Sequence, residues 1–293
     1  MISTADPLMV PQYSAEIIEH LLARETQSDM DPSYLAAQPE ITDRMRATLN
    51  DWLIDVVIKF KLHMETMFLT VNIVDRFLSR HSCLRSRLQL VGITSILLAS
   101  KHDEIWPPPM RDCVSICANT YTEEEIIDCE RDIASALRFR LTVPTSYQLA
   151  SHILDTINAP TITREAAMFF LESSSLDSKM LHFLPSRVAG AAVLLALATL
   201  SINNVPGAAR GYGRELWDDR RMPMSYDEIA PAAEQLLSTT MVMISPTSRL
   251  QALRRKYSQS KHCAVALMVM PSTMFPRPNS ASAVNQPLLA PSS

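Results

Sequence analysis

The chain has 293 residues, a net charge of −4 and a composition that favours helices over strands. Aromatic residues make up 6%, and 19 prolines against 5 glycines suit helices joined by proline-stopped turns. Because nucleic-acid binding needs a basic surface, the acidic balance argues against it. The N-terminus has neither the basic start nor the long apolar stretch of a signal peptide.

The cysteines argue against a metal centre, and the most apolar segment argues against a membrane-spanning helix. An odd number of cysteines without a Cys-x-x-Cys pair indicates free, mostly buried thiols of an intracellular chain and no metal centre. The most apolar run, residues 188–200, falls short of the roughly 18 to 20 residues that cross a bilayer. We therefore expect no metal, no cofactor and no membrane segment. The cysteines are Cys83, Cys113, Cys117, Cys129 and Cys263.

Helical spacing of apolar residues predicts five helices in the first half of the chain. The fourth is apolar nearly all round, which indicates that it lies at the centre of a core. Thr122 and Glu125 form a capping box at the start of the fifth, and Trp106 with the three prolines after it forms a rigid connector. The predicted helices cover residues 13–26, 44–62, 66–80, 84–101 and 122–137.

The second half contains a helix that starts near Thr145 and four further predicted helices. In the last of these, Arg254, Arg255 and Lys256 are interpreted as a solvated helix face. The proline-, serine- and alanine-rich C-terminus at 269–293 and the short N-terminus at 1–12 are predicted to be disordered. The four helices cover residues 163–174, 185–199, 225–243 and 248–257.

The two most apolar helices resemble each other. Gly92 and Gly190 occupy corresponding positions in them, 98 residues apart. A glycine inside a helix costs about 1 kcal/mol against alanine and usually has a packing reason, so we expect another helix to cross closely at each one. The pattern predicts two all-helical domains of about 100 residues, each built around a central buried helix.

Five separated motifs in this order resemble cyclins of the A/B, or mitotic, type. The similarity runs without obvious gaps from about residue 13 to 147 and more weakly to about 267. It implies an all-α fold with two tandem five-helix cyclin boxes, the first at 42–143 and the second at 144–268, after an N-terminal helix at 13–28. The motifs are Met-Arg-x-x-Leu-x-Asp-Trp-Leu at 45–53, Asn-Ile-Val-Asp-Arg-Phe-Leu-Ser at 72–79, Leu-Gln-Leu-Val-Gly at 88–92, Leu-Ala-Ser-Lys at 98–101 and Pro-Thr at 144–145.

The resemblance implies a regulatory protein of the cell cycle and mitosis, found in the nucleus and cytoplasm, and not an enzyme. Cyclins bind a cyclin-dependent protein kinase as a heterodimer, hold its mobile regulatory helix inward and open its activation segment. The chain contains no Gly-rich phosphate loop and no kinase catalytic motif. The alternative is a cyclin-fold transcription factor or scaffold that does not activate a kinase, although the transcription-factor role needs basic faces.

Lys101 and Glu130 match the cyclin pair that hydrogen-bonds the regulatory helix of the kinase. Composition alone favours an ordinary helix-end lysine and a solvated glutamate, whereas the motifs around both favour kinase contact. His102 stands where the family has Phe or Tyr, and its smaller ring, which buries less area, implies weaker binding or a different kinase. The other matching positions, for which packing within the chain is the alternative, are Glu104, Phe139, Leu141, Tyr13 and Ile17.

A second set of residues matches the hydrophobic patch with which cyclins dock Arg-x-Leu motifs of substrates and inhibitors. In the family, apolar side chains receive the leucine, Gln89 bonds the peptide backbone, and the carboxylate at Asp55, here one methylene shorter than the usual Glu, receives the arginine. Lys59 and Ala118 replace acidic positions, so we expect weaker binding of basic motifs. This docking patch, for which core packing is the alternative, comprises Met45, Thr48, Leu49, Trp52, Asp55, Leu88 and Gln89.

Arg46 lies on the same predicted helix, close to its apolar face. A buried charge needs a partner, because an unpaired one costs several kcal/mol. The resemblance implies that Asp75 is this partner and that the ion pair ties together the first two helices of the first box. We therefore expect both residues to be structural.

Overall fold

The computed structural model describes residues 13–27, 30–206, 214–217 and 222–271, and these residues form twelve α-helices and no strand. The all-α class is confirmed. Residues 1–12 and 272–293, both predicted to be disordered, lie outside the described residues. The helices are α1 Ser14–Glu25, α2 Asp43–Phe60, α3 Met64–Leu78, α4 Leu88–Asp103, α5 Met110–Ile116, α6 Glu123–Ala136, α7 Ser146–Thr156, α8 Thr161–Ser175, α9 Pro185–Ile202, α10 Arg214–Trp217, α11 Tyr226–Met243 and α12 Ala252–Tyr257.

The first box consists of α2 to α6, with α4 at its centre. Helix α4 packs against α2, α3 and α6 and is buried along most of its length. Helix α2 begins after Thr42, whose hydroxyl accepts a hydrogen bond from the backbone N of Met45 at 3.3 Å, and Thr122 forms the expected capping box on α6. The short helix α5, which follows the prolines, was not expected from the periodicity.

Two helix starts in the first box differ from the predicted ones because of the local structure at each start, a side-chain cap at α3 and a 3-10 turn at α4. Helix α3 begins two residues early, since the His63 side chain accepts a hydrogen bond from the backbone N of Glu65 at 3.3 Å. Helix α4 begins at Leu88 instead of residue 84, since residues 85–87 form a 3-10 turn before it. Periodicity alone does not detect such caps.

The second box is built around α9, against which α7, α8 and α11 pack. Its last helix, α12, also contacts α2 of the first box. Helix α12 begins at Ala252 and not at residue 248, because the carboxylate of Asp51 on α2 accepts hydrogen bonds from the backbone N of Gln251 at 3.2 Å and of Ala252 at 3.0 Å. A residue 200 positions earlier therefore sets the start of α12.

The end of the second box extends slightly beyond its predicted limit of residue 268. The backbone N of Val269 donates to Asn203 Oδ1 at 3.1 Å, and Asn203 Nδ2 donates to the Val269 carbonyl at 2.8 Å. Met270 is buried against the box. Residues 269–271, assigned from the sequence to the tail, thus pack on the domain.

Helix α9 is three residues longer than predicted. With 18 residues and a mean hydropathy of 1.6, it is the one helix among the described residues that is long and apolar enough to cross a membrane. In this fold 78% of that stretch is buried inside the protein. Its apolar composition is accounted for by its position at the centre of the second box.

Each central helix carries a glycine where a neighbouring helix crosses it. A Cβ atom added at Gly92 of α4 would lie 2.7 Å from Leu49 Cδ1 of α2. One added at Gly190 of α9 would lie 2.6 Å from Ile229 Cγ2 of α11. Both distances are too short for carbon atoms, so each glycine provides the space for a side chain of the crossing helix.

The buried pair Arg46–Asp75 joins α2 to α3 in the first box. Arg46 Nε and Nη2 donate to the two carboxylate oxygens of Asp75 at 2.6 and 2.7 Å, and Tyr34 OH donates to Asp75 Oδ1 at 2.7 Å. Arg46 Nη1 also donates to the Ser175 carbonyl of the second box at 2.9 Å. Because the pair is buried and fully hydrogen-bonded, its geometry is that of a structural tie between the boxes.

A second buried ion pair corrects the interpretation of residues 254–256 as a solvated face. Lys256 is buried, and its ammonium group binds Glu172 Oε1 of α8. Tyr257 OH donates to the same oxygen at 2.5 Å. Only part of the basic segment therefore faces solvent.

Candidate functional site

Lys101 and Glu130, matched separately from the sequence, lie side by side. Lys101 stands in the last turn of α4 and Glu130 near the middle of α6, and Lys101 Nζ donates to Glu130 Oε1 at 2.5 Å. The lysine side chain is 46% exposed and the glutamate 20% exposed. The packing of α4 on α6 therefore presents a charged pair at the end of a buried helix, within reach of a partner.

His102 and Glu104, two further candidate kinase contacts, differ in how far their side chains are free to contact a partner. His102 is exposed, and its ring nitrogens lie 2.5 Å from Asp103 Oδ1 and 3.0 Å from Thr142 Oγ1. Glu104 is half-buried, and its Oε1 accepts hydrogen bonds from the backbone N of His63 and from Thr66 Oγ1 at 2.7 and 2.6 Å. Glu104 thus binds the start of α3, and one of its oxygens is engaged within the box.

The junction between the boxes lies next to these residues. Thr145, the N-cap of α7, donates through its hydroxyl to Glu65 Oε1 at 2.8 Å. Burial raises the pKa of the Glu65 carboxyl to about 7, although the hydrogen bond from Thr145 acts in the opposite direction. Glu65 is therefore a group whose charge changes near neutral pH at the contact between α3 and the second box.

The apolar candidates lie on a turn and on α1. Phe139 is 77% exposed and has a left-handed backbone, with φ of 56°, in the tight turn that follows α6. Leu141 is half-buried and packs partly on the core. Tyr13 and Ile17 are exposed at the start of α1. Phe139 is consequently more open to a partner than Leu141, a difference that the sequence pattern does not give.

Two exposed apolar residues just past the end of α4 were missed by the sequence reasoning. Ile105 and Trp106 are 88% and 87% exposed and directly follow Glu104. A signal was present in the sequence, because two large apolar residues stand between acidic residues and three prolines, where no helical periodicity can bury them. Single exposed apolar residues are common, but two adjacent ones that directly follow the helix carrying Lys101 indicate a contact surface.

The docking patch divides into a core part and a surface part. Leu49 and Leu88 are buried, and Leu49 of α2 fills the space beside Gly92 of α4, so both residues belong to the core. Met45, Trp52 and Gln89 are half-buried, and Thr48 is exposed with its hydroxyl bonded to the Arg44 carbonyl at 2.8 Å. Core packing thus describes Leu49 and Leu88, whereas the other members of the set are accessible for docking.

Asp55, the expected acidic residue of the docking patch, is bound by Arg255 of α12. Arg255 Nη2 lies 2.5 Å from Asp55 Oδ1 and 2.6 Å from Oδ2. These hydrogen bonds raise the pKa of Arg255. One turn earlier on α2, burial raises the pKa of Asp51, which caps α12. Sequence reasoning missed both contacts because they join positions about 200 residues apart.

The described residues form no metal-binding cluster, and three of the cysteine thiols are held in the protonated form. No group of three or more His, Cys, Asp or Glu side chains among them is arranged to hold a metal ion. Burial raises the pKa of Cys83, Cys113 and Cys117 to about 11, so these thiols stay protonated at neutral pH and are poor nucleophiles.

Family models cover both halves of the chain. The model "Cyclin, N-terminal domain" matches residues 16–142, and the model "Cyclin, C-terminal domain" matches residues 144–271. Among solved structures, a viral cyclin from herpesvirus saimiri matches with a TM-score of 0.63 and 20% identity over 76% of this chain and 97% of the viral one. At this identity the likeness shows the shared two-box fold.

Curated relatives support the same assignment. The G2/mitotic-specific cyclin-1 of Medicago sativa subsp. varia is 36% identical over 87% of this chain and 58% of its own length. Cyclin-A1 of Homo sapiens is 36% identical over 92% of this chain and 56% of its own length, and G2/mitotic-specific cyclin-B1 of Oryzias latipes is 33% identical over 89% and 62%. The chain therefore spans less than two thirds of these relatives, and the resemblance to mitotic cyclins is confirmed: this chain belongs to the cyclin family.

Proposed function

We propose that this chain binds and activates a cyclin-dependent Ser/Thr protein kinase as its regulatory subunit in the cell cycle. The observation that carries the proposal is the exposed Lys101–Glu130 pair at the end of the buried helix α4. An ammonium group has three donors and a carboxylate several acceptor positions, so the pair can bind each other and still bind the backbone of a partner helix. Because α4 is packed along its length, binding does not have to order it.

The apolar side chains around the pair support this proposal. Ile105, Trp106 and Phe139 are exposed, and covering one such side chain with a partner contributes about 1.5 to 3 kcal/mol. Helix α1, with exposed Tyr13 and Ile17, is linked to the same region, since Arg24 and His102 both bind Thr142. A partner in contact with the pair can thus bury several apolar residues at once.

In this proposal the kinase supplies the chemistry and the chain supplies a rigid surface. The kinase regulatory helix docks against Lys101 and Glu130, which shifts it toward the position that completes the lysine–glutamate pair holding the ATP phosphates. Such a shift requires the chain to bind the active conformation more tightly than the inactive one. We place this activity in the nucleus and cytoplasm.

We also propose that the docking patch holds leucine-containing segments of substrates or inhibitors, the class to which Arg-x-Leu motifs belong. The half-buried Met45 and Trp52 on α2 and Gln89 on α4 support this role. Two apolar side chains can receive a leucine, and the amide of Gln89 can bond an extended peptide backbone.

The kinase role is tested by reconstituting the chain with cyclin-dependent kinases of its source organism and measuring phosphorylation. We expect Lys101→Ala and Glu130→Ala each to lower kinase binding by about 30-fold or more, because removing one partner of a desolvated charge network costs about 2 kcal/mol or more. Asp128→Ala serves as the matched control, since Asp128 lies on α6 in an exposed ion pair with Arg131.

Unchanged binding in both variants, or losses no larger than in the control, would contradict the assigned interface. Failure to bind any such kinase would favour the alternative of a cyclin-fold scaffold. A gel-shift experiment with duplex DNA then tests the transcription-factor form of that alternative.

A further inference from the structure

The acidic residue of the docking patch already has a cationic partner from the same chain. Arg255 Nη2 contacts both carboxylate oxygens of Asp55, at 2.5 and 2.6 Å. The pair lies at the surface, with 58% of the Arg255 side chain and 43% of the Asp55 side chain exposed. A docked segment can therefore reach Asp55, but the carboxylate of Asp55 already binds Arg255.

The position of Arg255 is set by the fold. Asp51, one turn before Asp55, caps α12 through the backbone N of Gln251 and Ala252. On the other side of the same helix, Lys256 and Tyr257 are buried against Glu172. Because α12 is attached on both sides, it holds Arg255 over Asp55 without relying on the exposed ion pair itself.

We infer that Arg255 is a specificity-determining residue of the docking patch, which selects leucine-anchored segments with an uncharged or acidic residue in place of the arginine. This inference rests on the docking role proposed above. A second guanidinium gains little from Asp55, because the carboxylate is already neutralised and the incoming cation is repelled by Arg255. The expected weakness toward basic motifs thus has a definite structural cause.

The basic residues on Asp55 and elsewhere around the docking patch favour this kind of segment. Both bonds to Asp55 use Nη2, so Nε and Nη1 of Arg255 remain as donors for a carbonyl or carboxylate of the segment. Lys59, one turn further along α2, is exposed, and Arg85 and Arg87 are exposed just before Leu88. The occupant that fits is an extended substrate segment with a leucine and no arginine two residues before it.

The test measures binding of three fluorescent peptides that differ only at the residue two positions before the leucine, which is Arg, Gln or Glu. Fluorescence anisotropy at one fixed salt concentration gives Kd values for the unaltered chain, Arg255→Gln, Arg255→Glu, the double variant Arg255→Gln with Asp55→Asn, and Lys261→Gln. Lys261 is an exposed lysine beyond α12 and controls for the change in net charge.

For the unaltered chain and Lys261→Gln we expect the Gln and Glu peptides to bind at least as tightly as the Arg peptide. In Arg255→Gln the Arg peptide should bind about three- to fivefold tighter than the Gln peptide, the range of an exposed ion pair, and in Arg255→Glu about tenfold tighter. The double variant should lose this preference, because the freed carboxylate is removed.

A preference for the Arg peptide over the Gln peptide in the unaltered chain that stays unchanged in both Arg255 variants overturns the inference. Binding of none of the peptides to any variant overturns the docking role as well. Kinase activation, measured on the same preparations, shows separately whether the regulatory function stands.

Discussion

The two boxes share their packing, but among the described residues only the first ends its central helix in a solvent-accessible charged pair. In each, a glycine on the central helix admits a side chain from a crossing helix, and a buried carboxylate binds a cation and a tyrosine. The last turn of α4 carries Lys101 at the surface, whereas α9 is followed by Asn203, whose amide binds Val269 within the box. A shared fold thus does not imply a shared binding surface.

The buried carboxylates also differ in how completely they are bound. Both oxygens of Asp75 accept hydrogen bonds from Arg46, and Tyr34 adds a third bond. Glu172 Oε1 binds Lys256 and Tyr257, while Oε2 has no hydrogen-bond partner among the described residues. The first network therefore has more bonds to lose and the second depends more on each one.

The largest expected effect comes from breaking the network of the first box. Asp75→Ala leaves Arg46 buried without its counter-charge, and we expect the free energy of unfolding to fall by about 3 to 5 kcal/mol. Urea unfolding followed by circular dichroism measures this. Asp112→Ala is the control, since Asp112 is exposed and pairs loosely with Arg111 at 3.6 Å, and should change stability by less than about 0.5 kcal/mol. Equal losses of unfolding free energy in the two variants would contradict the structural role of the Arg46–Asp75 pair.

The tyrosines provide a matched pair that sharpens the difference between the networks. Tyr257→Phe removes one of two bonds to Glu172, and we expect a loss of about 3 kcal/mol. Tyr34→Phe removes one bond to Asp75, which keeps both bonds from Arg46, and we expect about 1.5 kcal/mol. Thermal and urea unfolding of both variants decide the order, and a larger loss for Tyr34→Phe would refute the argument from the unpartnered oxygen.

The two glycines compare the helix crossings. Gly190→Ala would place its Cβ 2.6 Å from the Cγ2 of the β-branched Ile229, and we expect a loss of about 2 kcal/mol in the free energy of unfolding. Gly92→Ala presses on the more adaptable Cδ1 of Leu49, and about 1 kcal/mol is expected. Because Leu49 belongs to the docking patch, Gly92→Ala should also weaken peptide binding, whereas Gly190→Ala should not. If the two glycine variants bind the peptides with equal affinity, Leu49 does not take part in docking.

Local features of the sequence predicted much of this fold. The periodicity located most helices, and the paired glycines indicated close crossings at Gly92 and Gly190, where the structure has them. The capping box of Thr122 and Glu125 marked the start of α6. Each of these signals involves residues within a few turns of one another, so no knowledge of the tertiary arrangement was needed.

Apart from helix starts and short elements that local turns and caps decide, the errors concern contacts between distant segments. The Asp55–Arg255 pair, the burial of Lys256 and the cap that Asp51 places on α12 all arise because the last helix packs back on α2. A single sequence does not show which charges such packing brings together. Likewise, the spacing of Leu49 and Trp52 on one helix does not reveal that the first fills the core and the second stays half-exposed.

The smallest expected effect is a pH dependence where the two boxes meet. Glu65 has a pKa of about 7 in the folded chain, above its usual value near 4.5, because it is partly buried against Thr145. A carboxyl whose pKa is raised by folding stabilises the fold at low pH, and this stabilisation is lost as the pH rises from about 4.5 to 7. We expect Glu65→Gln, which stays neutral and keeps an oxygen for Thr145, to match the unaltered chain at pH 5. At pH 8 it should be more stable by about 1 kcal/mol, since the side chain is partly solvated. Urea unfolding at both pH values measures the difference in unfolding free energy between the variant and the unaltered chain. Contributions from the other titrating groups cancel in this difference. If it is the same at both pH values, Glu65 does not titrate in this range.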